Sequence, residues 1–304
     1  MARANGKVIL LGEHAVVYGV PAIAAGIERG VHARAQPASS AMATLRIGER
    51  TATVGDDSDL ARGFQALLGA LNVSEAPALA VEATLELPPG SGLGASAALG
   101  VAIARTVLEA LGRARDQALV LSAAAAWEGV YHGNPSGVDA AASAHDGCLW
   151  FEKGHGMQQV VLDRDLVLAI GLAGPPASTK LMVDSVARLR ERRPSIVGKA
   201  LEGIHALVKN ARLCLETGDL PGLGSLMNYN QMLLSGLFVS SEGIERCCAL
   251  AREAGALGAK LTGAGGGGAV IALCDGDFEP ILAAWRVQGV ECFGSHVRAK
   301  RVAT

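Results

Sequence analysis

Apolar and polar positions alternate along this chain with two different periods, and the switches between them mark the elements. Residues 7–11 (KVILL) form a short apolar run closed by Gly12, the pattern of a buried strand. Residues 20–37 alternate loosely and supply one or two further strands, and 44–55 (TLRIGERTATVG) predict a hairpin turning at Gly48–Glu49. Residues 60–73 are amphipathic at helical spacing, 79–87 return to period two, and 95–112 and 118–132 read as helices, with Pro135 ending the second. Strands follow at 147–154, 157–163 and 165–174. Helical patterns run over 179–193, 195–217, 220–234 and 240–256, where Ser240 or Ser241 caps the start and Glu242 lies in the first turn. A strand, glycine loop and strand occupy 259–274, a helix covers 278–289, and a strand closes the pattern at 291–302.

Strands and helices are mixed without the strict alternation of a doubly wound sheet, so the pattern predicts an α+β fold. The 304 residues suffice for one large or two ordinary domains, and the composition shift near 163–166 predicts a division into 1–164 and 165–304. Half of the residues are hydrophobic but only 4% are aromatic, so Ala, Val, Leu and Gly must build the core by close packing. A net charge of −2, with no charged block, argues against a nucleic-acid partner. The six cysteines lack C-x-x-C spacing, which fits neither a zinc site nor a disulfide framework. The N-terminus lacks a signal-peptide pattern and no stretch approaches 18 apolar residues, so the expectation is a cytoplasmic protein without a membrane partner.

Four stretches carry candidate chemistry. In PPGSGLGASAA (88–98), Gly90, Gly92 and Gly94 free the backbone to approach a ligand, and the following helix offers N–H groups and the positive end of its dipole. Ser96 either caps that helix or binds Mg²⁺. Gly90-x-Gly92-x-x-Ala95 also matches a dinucleotide fingerprint with Glu109 nineteen residues on, but that acid falls within the same helix. No Lys follows the glycines, so the Walker pattern is absent. A tight strand-to-helix turn with nothing bound is the plain alternative. KLTGAGGGGAVIAL (260–273) places four consecutive glycines between two strands, which calls either for close packing against backbone or ligand, or for a flexible hairpin. ANGKVILLGEHAVVYG (4–19) sets Lys7, Glu13 and His14 around a buried strand, and WEGVYHGNPSGVDAAAS (127–143) holds Glu128 and Asp139 either side of a Pro–Ser–Gly turn. Taken singly, each of these side chains can be a solvated, satisfied or helix-start residue.

In this order and spacing the four stretches resemble the GHMP family of small-molecule kinases, over nearly the whole chain. The resemblance implies an N-terminal domain like ribosomal protein S5 domain 2 followed by a ferredoxin-like C-terminal domain, with a site between them. It implies ATP and Mg²⁺ as cofactors and a small-molecule alcohol as acceptor. GEHAVVYG, HGNPSGVD and STKLMVDSVARLRERRP (178–194) are similar to the branch whose acceptor is mevalonate; phosphomevalonate, homoserine or a sugar are the alternatives, as is a nucleotide-binding relative without transferase activity. Carried over by motif, Pro89, Gly90, Ser91, Gly92, Leu93, Gly94, Ala95 and Ser96 wrap the phosphates, and Glu13 lies near the nucleotide or the substrate edge. Ser96 and Glu128 hold Mg²⁺. Asp139 is the general base and Lys7 its cationic partner, while His14, Ser136, Thr262 and Gly263 contact the acceptor. A homodimer is plausible from the family. Asn5 stands where Pro often precedes the Gly–Lys pair, and Ala95 where a first Ser is common, leaving Ser96 as the hydroxyl.

Overall fold

A computed structural model describes residues 1–38, 42–73, 79–88, 90–131 and 137–299, with the backbone alone of His132. It divides into two compact units, each assembled from separated stretches of chain: Met1–Gly6, Arg29–Pro89 and Gly94–His145 in the first, and Lys7–Glu28, Gly90–Leu93 and Asp146–Thr304 in the second. Two strands, β1 (Ala2–Leu11) and β2 (Ala22–Pro37), therefore belong partly to each.

In the first unit, Val31–Pro37 of β2 pair antiparallel with β5 (Leu79–Leu85), and β5 pairs parallel with β3 (Thr44–Ile47). The hairpin partner β4 (Arg50–Thr53) turns back at the predicted Gly48–Glu49. The buried face of this sheet meets α1 (Asp59–Ala70), α2 (Ala95–Ala110) and α3 (Gln117–His132). Phe64, Leu67, Ile103, Val107 and Trp127 fill the space between them. Ser58 caps α1 by accepting the Ala61 N–H at 3.2 Å.

Alanine and glycine let α2 and α3 approach closely. A Cβ built on Gly100 would stand 3.1 Å from both Ala124 Cα and Trp127 Cδ1. The short 111–116 connection makes the two helices antiparallel neighbours. With Gly100 opposite Ala124, a step of four residues toward the start of α2 matches a step of four toward the end of α3. That register sets Ser96 at the level of Glu128. The short helix α4 (Val138–Ala144) packs on both α2 and α3.

The second unit holds a fully antiparallel four-stranded sheet in the order β11-β8-β10-β9, from β8 (Leu166–Leu172), β9 (Gly258–Leu261), β10 (Ala269–Cys274) and β11 (Cys292–Val297). Helices α5 (Thr179–Arg192), α6 (Pro194–Thr217), α7 (Leu220–Gly236) and α8 (Glu242–Glu253) separate β8 from β9, and α9 (Glu279–Val287) separates β10 from β11. This is the strand order of a ferredoxin-like fold, enlarged by its first crossover. Gly171 admits Trp285 onto the sheet, where the indole N–H donates to Cys247 O at 2.9 Å. Ala22–Ala25 of β2 pair with β6 (Cys148–Glu152), which pairs with β7 (Gly156–Val160). Two side chains of α7 complete β9: Asn228 Oδ1 accepts the Ala259 N–H at 3.0 Å and Gln231 Oε1 accepts the Leu261 N–H at 2.9 Å.

The α2–α3 contact supplies a direct check. Gly100→Leu is expected to cost about 1–3 kcal/mol by overpacking against Ala124 and Trp127. Urea denaturation would measure it.

Candidate active site

The chemistry-bearing stretches fold in two places. In the second unit the tail of β1 lies along the strand that enters the glycine loop. Thr262 Oγ1 accepts the Ile9 N–H at 2.8 Å and donates back to Ile9 O at 3.3 Å. The Lys7 N–H donates to Leu93 O at 2.8 Å, which fixes the first half of the 90–96 loop. Ser91 and Leu93 are buried there, and Gly92 between them is exposed. Lys7 is itself buried, only 3% exposed, despite its charge.

Packing, rather than looseness, accounts for the glycine run. Gly265, Gly266, Gly267 and Gly268 all have positive φ. A Cβ on Gly265 would stand 2.1 Å from Val239 O, and one on Gly267 2.0 Å from Pro175 O. The loop is pinned by the Gly266 N–H to Val239 O at 2.7 Å and the Ala173 N–H to Gly268 O at 2.8 Å. Gly263 faces Gly92 O, 3.6 Å from where a Cβ would be. Two glycine stretches, with Gly92 and Gly263 171 residues apart in sequence, thus meet backbone to backbone.

Beside this contact sits an ion pair that sequence reasoning missed. Lys260 and Glu13 form a salt bridge with both side chains fully buried. Lys260 Nζ also donates to Ile9 O and Leu261 O, and Glu13 Oε2 accepts from Asn230 Nδ2 at 3.1 Å. Three acceptors for three protons fit an ammonium ion. Burial pushes Glu13 up and Lys260 down, and the charge of each opposes the shift of the other. A lysine inside the apolar strand GAKL was the available signal: a buried cation demands a partner.

His14 follows Glu13 at φ +60°, a region a non-glycine residue rarely occupies. Its Nε2 lies 2.8 Å from Ala264 O; a carbonyl only accepts, so the proton is on Nε2. Burial holds the ring's pKa below its usual 6.5, with the Ala264 carbonyl opposing the shift.

In the first unit the second half of the loop opens α2. Gly94, at φ +78°, occupies the N-cap position, and no side chain caps the helix. Its first turn therefore presents backbone N–H groups and the dipole's positive end, where an anion is stabilised. Ala95 and Ser96 are half-buried in that turn, and Glu128 is buried at the same level of α3. Asp139 is half-buried in the first turn of α4, which starts after Gly137 at φ +82°. The structure thus gathers Lys7, Glu13, His14, Gly90–Leu93, Thr262 and Gly263 in one unit and Gly94, Ala95, Ser96, Glu128 and Asp139 in the other. Pro89 and Ser136 lie outside the described residues.

The family description of the GHMP kinases N terminal domain matches residues 59–147, and that of the GHMP kinases C terminal matches 204–290. A mevalonate kinase of Methanothermobacter thermautotrophicus is 34% identical over 297 residues, covering 95% of this chain and 96% of the relative. The chain belongs to the GHMP kinase family. As a member it is an ATP-dependent small-molecule kinase with the α+β fold of that family. A mevalonate kinase of Pyrococcus horikoshii is 32% identical, covering 95% of this chain and 92% of the relative. Among solved structures, L. major mevalonate kinase in complex with R-mevalonate superposes with a TM-score of 0.90 at 30% identity, covering 99% of this chain and 96% of that one. Among the described residues no helix is long and apolar enough to cross a membrane.

Two outcomes check this geometry. Gly265→Ala, with its clash at Val239 O, is expected to cost about 2 kcal/mol or more. Gly154→Ala, also at positive φ but with open space around it, should cost about 1 kcal/mol, and denaturant midpoints separate the two. For His14 the folded state resists the proton that the unfolded chain accepts. Its contribution to stability is full above pH 6.5 and is lost as pH falls through the lower folded-state pKa. His14→Gln should therefore flatten the fall in urea midpoint between about pH 7.5 and 5.5.

Proposed function

We propose that this kinase transfers the γ-phosphoryl group of ATP to the 5-hydroxyl of mevalonate, giving 5-phosphomevalonate and ADP. The observation that carries the reading is the match to mevalonate kinases at about one-third identity over nearly the entire chain, together with the likeness to a mevalonate-bound structure. The four motif side chains that the reaction asks for, Lys7, Ser96, Glu128 and Asp139, are all present.

Phosphoryl transfer is chiefly a matter of position and charge. In this reading the backbone of Gly90–Ser96 holds the triphosphate, with the uncapped start of α2 as its anion-binding end. Mg²⁺, when bound, neutralises phosphate charge. The donor set fits that ion: one hydroxyl at Ser96 and one carboxylate at Glu128 share a helix level, and a hard cation that keeps waters and phosphate oxygens needs few protein ligands. Asp139 accepts the proton of the acceptor hydroxyl, and Lys7 supplies the positive charge that steadies the developing alkoxide. His14 enters as a neutral ring whose Nε2–H is engaged by Ala264, so its contact with the acceptor falls to Nδ1 as a hydrogen-bond acceptor. Thr262 acts through Ile9, to which both its donor and acceptor capacity are turned, and Gly263 lends backbone. Glu13 acts through Lys260 and Asn230 rather than by contact with the nucleotide.

A coupled ADP-release assay tests the acceptor. Mevalonate should show the highest kcat/KM against phosphomevalonate, homoserine and galactose. A higher value for another acceptor would reassign the substrate, and ATP binding without any turnover would point to an inactive relative. Asp139→Asn should lower kcat by about 10²–10⁴-fold with ATP affinity retained. Ser96→Ala should move the Mg²⁺ titration to higher concentration; an unchanged titration would leave Ser96 as a helix-start residue.

A further inference from the structure

We infer that the buried Glu13–Lys260 pair, steadied by Asn230, is a positioning device that fixes the orientation and tautomer of His14. His14 holds φ +60°, a conformation its own sequence does not favour, so its surroundings must impose it. Three ties brace the 9–14 segment against the 260–264 segment: Ile9 to Thr262, Glu13 to Lys260, and His14 to Ala264. The middle tie acts on the residue directly before the strained one.

The pair is also built for rigidity rather than for titration or ligand contact. Lys260 has all three protons engaged, by Glu13, Ile9 O and Leu261 O. Glu13 has one oxygen on Lys260 and the other on Asn230. Asn230 cannot be turned over, because its carbonyl would then face the carboxylate. Its Oδ1 is left buried without a hydrogen-bond partner among the described residues, a cost accepted to keep the donor on Glu13. A buried ion pair is seldom retained for stability alone, since apolar replacements of like volume are often neutral or better. Here its geometric product is a histidine with its proton on Nε2, leaving Nδ1 as the acceptor.

The inference predicts a ring state, which needs no substrate, and an effect on acceptor binding, which rests on the proposed reaction. The test is Glu13→Gln/Lys260→Met, which removes both charges at similar volume. Long-range ¹H–¹⁵N correlation of the imidazoles reads the tautomer in the full chain, with His14 assigned by its loss in His14→Gln. The wild type should show His14 protonated at Nε2 alone. The double variant should melt near wild type, yet show mixed His14 tautomers and a KM for mevalonate raised about tenfold, with KM for ATP within about threefold. A folded double variant with the wild-type tautomer and KM would overturn the inference, as would a wild-type His14 protonated at Nδ1. Should the double variant fail to fold, Asn230→Leu keeps the ion pair but removes the donor on Glu13. It should shift the tautomer and KM in the same direction, and no shift would overturn the inference. If mevalonate proves not to be the acceptor, the tautomer result still decides.

Discussion

The second unit depends on backbones that approach closer than any side chain allows. Gly265 and Gly267 lie against the carbonyls of Val239 and Pro175, and Gly263 lies opposite Gly92 O. Each of these contacts fixes the loop to a different segment, so the glycine run becomes rigid because it lacks side chains. Residues that cost conformational entropy in an unfolded chain are tolerated here for that closeness. The exposed Gly92 and the strand tail carrying Lys7 take their places from the same contacts.

The charged residues around that framework divide by partner. Glu13 stands in a motif whose resemblance suggested the nucleotide, yet its carboxylate is held between Lys260 and Asn230. Thr262 likewise has its hydroxyl turned to Ile9. In the proposed reaction the acting groups lie on separate elements: Ser96 in the first turn of α2, Glu128 near the end of α3, Asp139 in the first turn of α4 and Lys7 on β1. Regular structure fixes the backbone of each.

Much of this was legible in the chain. The hairpin at Gly48–Glu49, the helix capped by Ser241 and the strands either side of the glycine loop follow from period and punctuation, because local chemistry decides them. Long-range facts were not legible. Residues 20–37 read as one or two strands but form a single 16-residue β2, since pairing partners at its two ends extend it. Compactness follows contacts, which draw each unit from separated stretches of chain, and no composition shift encodes that interleaving. Lys260 escaped notice because its buried ion pair joins residues 247 apart, a separation no local pattern encodes.

The two amides that α7 lends to β9 have a consequence for assembly. β9 ends the order of its sheet, and a terminal strand ordinarily shows a row of unpaired donors to any extended chain that drifts past. Asn228 and Gln231 occupy those donors at Ala259 and Leu261, so that side of the sheet is closed to strand addition. A newly made chain that has docked α7 is thereby shielded from templated aggregation on this side.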